Sequence, residues 1–202
     1  MFDFKNEYTY FGFFYTKDLY GDKKYRKYLD IKKKYSKESS PQMMVIMMNP
    51  GASYPLNGND NQPLAVEAEP DKAQGQIVAL MKKCSLEYVR VLNLSDLREP
   101  KSEIFYKNID PQDSIFSPSN KADFEQFFIK SIPVLMACGV HYSLNPLVKL
   151  AITAIGNAKI FGLKKENYTN KYYHASPRFK EQRKSWVDNV AKQIINTKVY
   201  CP

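Results

Sequence analysis

Residues 43–48 (MMVIMM) form six consecutive apolar positions, closed by Asn49, Pro50 and Gly51. A run this short and unbroken reads as a strand buried on both faces, ended by a sharp Asn-Pro-Gly turn. Residues 88–94 (YVRVLNL) and 132–138 (IPVLMAC) have the same character, and residues 159–163 are a shorter fourth candidate. Helical spacing fills the gaps. In residues 71–84, Ala73, Ile77, Leu80 and Met81 share one side and Asp71 is placed to cap the start. Residues 120–130 and 146–155 read as further helices, and a last helix turns Trp186, Val187, Val190, Ile194 and Ile195 inward. Short buried strands alternating with amphipathic helices predict an α/β fold, a three-layer α/β/α sandwich around a mostly parallel, four-stranded central sheet.

The chain ahead of this pattern is open to two readings. Residues 8–15 are aromatic and β-prone, and residues 24–35 alternate basic side chains with Tyr, Leu and Ile, which fits either a hairpin or a short amphipathic helix. Ser39, Ser40 and Pro41 mark a turn. The expected organisation is therefore an aromatic and basic N-terminal extension, residues 1–41, packed on one α/β domain of residues 42–202. Residues 52–70 read as a polar loop, long enough that function or disorder is its usual explanation.

With 202 residues, 44% hydrophobic and 25% charged, the chain can bury a sizeable core and lacks the composition of a disordered one. Its longest strictly apolar run is far below the roughly 20 residues of a membrane-spanning helix. Asp3, Lys5 and Glu7 interrupt the aromatic N-terminus, unlike a secretory signal, so a cytoplasmic location without membrane contact is expected. Cys84, Cys138 and Cys201 lack metal-ligand spacing and there are only two histidines, so neither a metal nor a cofactor is expected. The formal net charge of +9 is unevenly spread: residues 1–41 carry 10 basic and 6 acidic residues, 42–119 carry 7 and 10, and 120–202 carry 13 and 5. In the last third, Lys171, Lys180, Arg183 and Lys184 interleave with Tyr168, Tyr172, Tyr173 and Phe179, a pattern suited to phosphate contact and base stacking. The alternative is a solvated lysine-rich surface.

Ligands of parallel sheets bind at the carboxyl ends of the strands, where Asn49, Asn93, Gly139 and the His174 segment are expected. Asn49 could hold a water through its carbonyl oxygen while donating elsewhere, or simply be a turn residue. Asn93 offers one donor and one acceptor, matching the edge of a pyrimidine, or else bonds to a neighbouring loop. His174 could donate to an oxygen that becomes negative.

In order along the chain, these residues resemble the uracil-DNA glycosylase superfamily. MMNPGAS (residues 47–53) and HASPRFKEQRKSW (residues 174–186) look most like the single-strand-selective monofunctional uracil-DNA glycosylases, and VLNL (91–94) and LMACGV (135–140) resemble that family's middle strands. A bacterial and phage family of unknown function, with an Asn-Pro-Ser start, an Asn-Leu strand and a late His-Pro, is similar in layout to MMNPG, NLSDLREP and HASP. The glycosylase resemblance implies hydrolysis of an N-glycosidic bond in a flipped-out nucleotide of single- or double-stranded DNA. It implies that Asn49 positions the water and His174 bonds the departing base. Asn93 would read the base edge, with Met48 and Pro50 beside it, and Gly51 and Ser176 would approach the phosphates. Arg178 and Phe179 would enter the stack, Tyr54 would stack on the base, and Lys171, Lys180, Arg183 and Lys184 would follow the DNA backbone. The rival expectation is a catalytically inactive nucleic-acid-binding module with a phage, mobile-element or defence role, and a third is hydrolysis of a free nucleoside or nucleotide.

Overall fold

One-sided alternation governs the first two strands. In Tyr8–Thr16 (β1) the side chains of Tyr8, Tyr10 and Phe14 are buried, and in Lys24–Lys33 (β2) Leu29 and Ile31 join them in the same core. The two pair antiparallel as a hairpin, Tyr10 opposite Ile31, with the register shifting between Gly12 and Phe14. The computed structural model describes residues 6–17 and 23–197; Asp3, Lys5 and Cys201 lie outside them.

Met43–Met47 (β3) is buried at all five positions. It lies between Tyr88–Asn93 (β6) and Val134–Met136 (β7), parallel to both, and Ile160–Phe161 (β8) pairs parallel with β7. Tyr54–Pro55 (β4) and Val66–Glu69 (β5) arise inside the segment that reads as a polar loop, and β5 pairs antiparallel with β1. The result is one eight-stranded sheet of order β4-β5-β1-β2-β6-β3-β7-β8. This overturns the expected four-stranded, mostly parallel, glycosylase-like sheet: the sheet is mixed, and four of its seven neighbouring pairs are antiparallel. The reason is physical. β2 lies antiparallel along the edge of β6 that would otherwise carry unpaired backbone groups. Asp30 on β2 faces Arg90 on β6, accepting two hydrogen bonds from its guanidinium at 2.7 and 2.8 Å and a third from the Tyr88 hydroxyl at 2.8 Å.

Alternate residues of β3 feed two separate cores. Met43, Val45 and Met47 pack with Lys72–Lys83 (α1) and Lys180–Asn196 (α5), whereas Met44 and Ile46 pack with Lys121–Phe127 (α3) and Asn145–Ile155 (α4). A short helix, Ser102–Lys107 (α2), contributes Phe105 to the second core. On α5 the inward stripe is Trp186, Val187, Val190, Ala191 and Ile194; Ile195, expected inward, is 52% exposed because the 3.6-residue period carries it past the sheet. Among the described residues no helix is long and apolar enough to cross a membrane.

The order of the four parallel strands reverses at β3. The chain leaves β3 through α1 to reach β6 on one side, and later places β7 on the other. Loops after β3 and β7 therefore diverge at the carboxyl edge of the sheet, the kind of place where open α/β sheets take their ligands.

Candidate functional site

The turn after β3 is closed by the Ser53 N–H donating to the Pro50 carbonyl at 3.3 Å. Gly51 adopts φ +61°, and a Cβ at this position would stand 2.5 Å from Asp71 Oδ2. Glycine is required twice over, for its left-handed backbone and for the close approach of a carboxylate. Asp71 caps α1: its Oδ1 accepts from the N–H groups of Ala73 (2.8 Å) and Gln74 (3.0 Å), and the Gln74 side chain accepts from the Asp71 N–H (2.6 Å). The cap occupies Oδ1 and leaves Oδ2 against the turn. Sequence reading gave Asp71 the cap alone.

Asn49 is nearly buried, and its side-chain amide donates to the carbonyls of Leu97 (3.3 Å) and Glu99 (2.7 Å) in the loop after β6. Its Oδ1 accepts no hydrogen bond among the described residues. Pro50 is buried beside it, Met48 leans half-buried on the second core, and Tyr54 is exposed on β4.

His174 lies beside Gly139, just beyond the end of β7. Gly139 takes φ +99° and donates its N–H to the Tyr172 carbonyl at 2.9 Å, and Trp186 Nε1 donates to the Tyr173 carbonyl at 3.3 Å. The segment is thus held from the sheet and from α5, and it is the left-handed backbone of Gly139, not crowding by His174, that calls for glycine there. The Ser176 N–H donates to His174 Nδ1 at 3.1 Å. A neutral imidazole accepting at Nδ1 carries its proton on Nε2. Burial lowers the His174 pKa, opposed by the Asp71 carboxylate, and the Ser176 N–H donated to Nδ1 favours the same neutral ring, which carries its proton on Nε2. Asp71 accordingly links the two segments, its Oδ2 closely approaching Gly51 and its charge acting on His174.

Asn93 is fully buried. With its amide oriented to satisfy both neighbours, it donates to the Asn49 main-chain carbonyl at 3.2 Å and accepts from Arg26 Nη2 at 3.3 Å. Both of its polar ends are engaged inside the protein. Arg26 is itself fully buried, and its Nε and Nη1 have no hydrogen-bond partner. Burial pulls its pKa down to about 10, with the nearby Arg98 adding to the fall and Asp71 opposing it. Sequence reading missed Arg26 because Lys27 and Tyr28 form an irregularity opposite Phe13: Arg26 pairs with Phe14 and Leu29 with Gly12, so the alternation changes parity between them.

The remaining predicted residues divide into two groups. Ser176 is half-buried and serves His174 through its main chain, while Arg178 and Phe179 are exposed, the guanidinium 5.9 Å from the Phe179 ring centre. Lys180, Arg183 and Lys184 occupy the first turns of α5. Lys171 is apart from them, over the Tyr168 ring (4.7 Å) and beside α4 in a groove of about 480 Å³ with Lys149 and Asn145. Among the described residues no three His, Cys, Asp or Glu side chains are grouped to hold a metal ion. Comparison with protein-family models, curated proteins and solved structures gives no match.

Proposed function

We propose that this protein is a DNA glycosylase-like hydrolase that cleaves the N-glycosidic bond of a flipped-out deaminated or modified base of the uracil type. The observation that carries this reading is the fixed tautomer of His174. A neutral Nε2–H donor, held by the Ser176 N–H at 3.1 Å, suits a departing base whose oxygen gains negative charge as the bond breaks. Asn49, its amide anchored on Leu97 and Glu99, keeps Oδ1 for a water. The free Oδ2 of Asp71 supplies negative charge for an oxocarbenium-like sugar. Lys180, Arg183 and Lys184 stand at the positive end of the α5 dipole, where cations weaken a helix and where a phosphate backbone repays them. A cytoplasmic location fits two buried, unpaired thiols, Cys84 and Cys138.

One observation favours the second reading, a nucleic-acid-binding module without glycosylase activity. Asn93 is spent on Asn49 and Arg26 and presents no edge to a base, so base recognition would have to come from elsewhere. Abasic-site formation on single- and double-stranded oligonucleotides carrying uracil, hydroxymethyluracil and other modified bases separates the two. The hydrolase reading expects release that Asn49→Ala and His174→Ala each reduce at least 100-fold. Binding without release across the panel selects the module.

A further inference from the structure

A groove of about 460 Å³ runs beside the Asn49 turn, lined by Lys23, Lys24 and Arg98 against the single acidic side chain of Glu99, with Gly51 and Leu97 joining it to the site. Residues 96–98 run antiparallel to the start of β2: the Arg26 N–H donates to the Asp96 carbonyl at 2.9 Å, and the Arg98 N–H to the Lys24 carbonyl at 2.8 Å. Arg26 is the register partner of Phe14 in the hairpin, and the Arg98 guanidinium lies 5.3 Å from the Phe14 ring centre. Asp60 pairs with both Arg98 and Lys24 and holds them at the groove. Arg26, behind them, has no carboxylate within ion-pair distance among the described residues and two donors without acceptors; Arg98 Nε is also unpartnered. Burying a guanidinium without its hydrogen bonds is costly, so although Asp60 pairs with Arg98 and Lys24 and the carboxylates of Asp71 and Asp96 act on Arg26, the Nε and Nη1 of Arg26 and the Nε of Arg98 are left without an acceptor among the described residues. A groove with such a wall is complementary to a doubly or singly charged tetrahedral oxyanion.

We infer that this groove is a phosphate-binding subsite, with Arg98 and Lys24 contacting the anion and Arg26 supporting them from behind. It is separate from the basic turns of α5, and it stands whether or not a base is released. The phosphate could be a terminal monoester, on a nucleotide or a 5′ end, or an internal diester of a strand.

Titration calorimetry on the full chain tests this with inorganic phosphate, thymidine 5′-monophosphate, and a short dT oligomer with and without a 5′-phosphate. A monoester site binds the 5′-phosphorylated oligomer at least 10-fold more tightly than its unphosphorylated form and also takes the mononucleotide. A diester site binds both oligomers alike. In either case Arg98→Gln lowers the affinity at least 10-fold, whereas neutralising Lys180, Arg183 and Lys184 leaves the Arg98-dependent part intact. Arg26→Gln, where it folds, adds to the loss, and Arg98→Gln decides the matter alone where it does not. Absence of binding by every probe, or equal binding by wild type and Arg98→Gln, overturns the proposal. None of these outcomes depends on base release.

Discussion

The parallel strands β3, β6, β7 and β8 and the antiparallel strands β1, β2, β4 and β5 share one sheet but reveal their chemistry differently. A strand such as β3, apolar on both faces, can carry a polar residue only where it ends, so Asn49 and the Gly139 edge stand out against their surroundings. β2 carries charge along its whole length (KYRKYLDIKK), and its one fully buried arginine looks like any other basic residue of the run. The lesson is that the site is legible where the strand is dry. The antiparallel half contributes as much to the site, through Arg26 and through the pairing that brings Arg98 beside it, but its contribution depends on a local irregularity in register.

If the two halves unfold as one cooperative unit, cutting into the core on either side of the sheet should cost alike. Phe14 on β1 and Ile46 on β3 are both fully buried. Phe14→Ala is expected to lose about 3–5 kcal/mol and Ile46→Ala about 2–5 kcal/mol, read from urea denaturation followed by circular dichroism and tryptophan fluorescence together. A loss below about 1 kcal/mol for Phe14→Ala alone would make the hairpin an appendage and dissolve the comparison.

The next contrast lies within a single residue. Asp71→Asn keeps an N-cap acceptor for Ala73 and Gln74, so stability should change by less than about 1 kcal/mol. It removes the charge facing Gly51 and His174, and base release is expected to fall about 100-fold, equivalent to about 2.7 kcal/mol. Unchanged release would reduce Asp71 to a cap.

Asp71 also illustrates how far the sequence can be read. Its position before Ala73, Ile77 and Leu80 fixes a helix start, because capping is local chemistry between residues three apart. That its second oxygen meets Gly51, twenty residues earlier, depends on how α1 packs on the sheet, and no spacing encodes it. β3, β6, β7 and their helices were legible because each is a continuous local pattern. β4 and β5 were not, since two and four residues inside a polar segment carry too little periodicity. The four-stranded expectation failed for a related reason: alternation at residues 24–35 fits a hairpin or a helix equally, and only the open edge of β6 decides between them.

Asp96 sharpens the same junction through pH. It receives the Tyr15 hydroxyl at 2.9 Å and lies 3.7 Å from Lys27 Nζ, with Lys17 and Asp113 also acting on it. Burial dominates and raises its pKa from 3.8 to about 7. The folded protein therefore holds a proton that the unfolded chain has released. That contribution to stability is complete below about pH 4 and is lost as pH rises through 7. Wild type is expected to lose about 2.6 kcal/mol relative to Asp96→Asn between pH 5 and pH 8, measured as the difference in urea stability at each pH. His174, with a lowered pKa, acts in the opposite sense as pH falls below its ordinary value, and the difference between the two proteins cancels it. Parallel curves would mean that Asp96 stays ionised in the fold and that Lys27 outweighs burial.

The smallest effect separates surface charge from site charge. α5 begins at Phe179 without a side-chain cap, with Lys180 in its first turn and Glu181 as the acidic residue there. Reversing the charge at Lys180 places a carboxylate at the positive end of the helix dipole, so Lys180→Glu is expected to stabilise the protein by about 0.3–1 kcal/mol. The same change should weaken binding of single-stranded DNA and reduce the slope of log affinity against log salt by about 1–2, since one phosphate contact becomes a repulsion. A stabilised variant with unaltered DNA affinity would show that the basic turns of α5 are solvated surface. The phosphate chemistry would then belong to Lys24, Arg26 and Arg98 on the antiparallel side, making that half of the sheet the one that holds the ligand's charge.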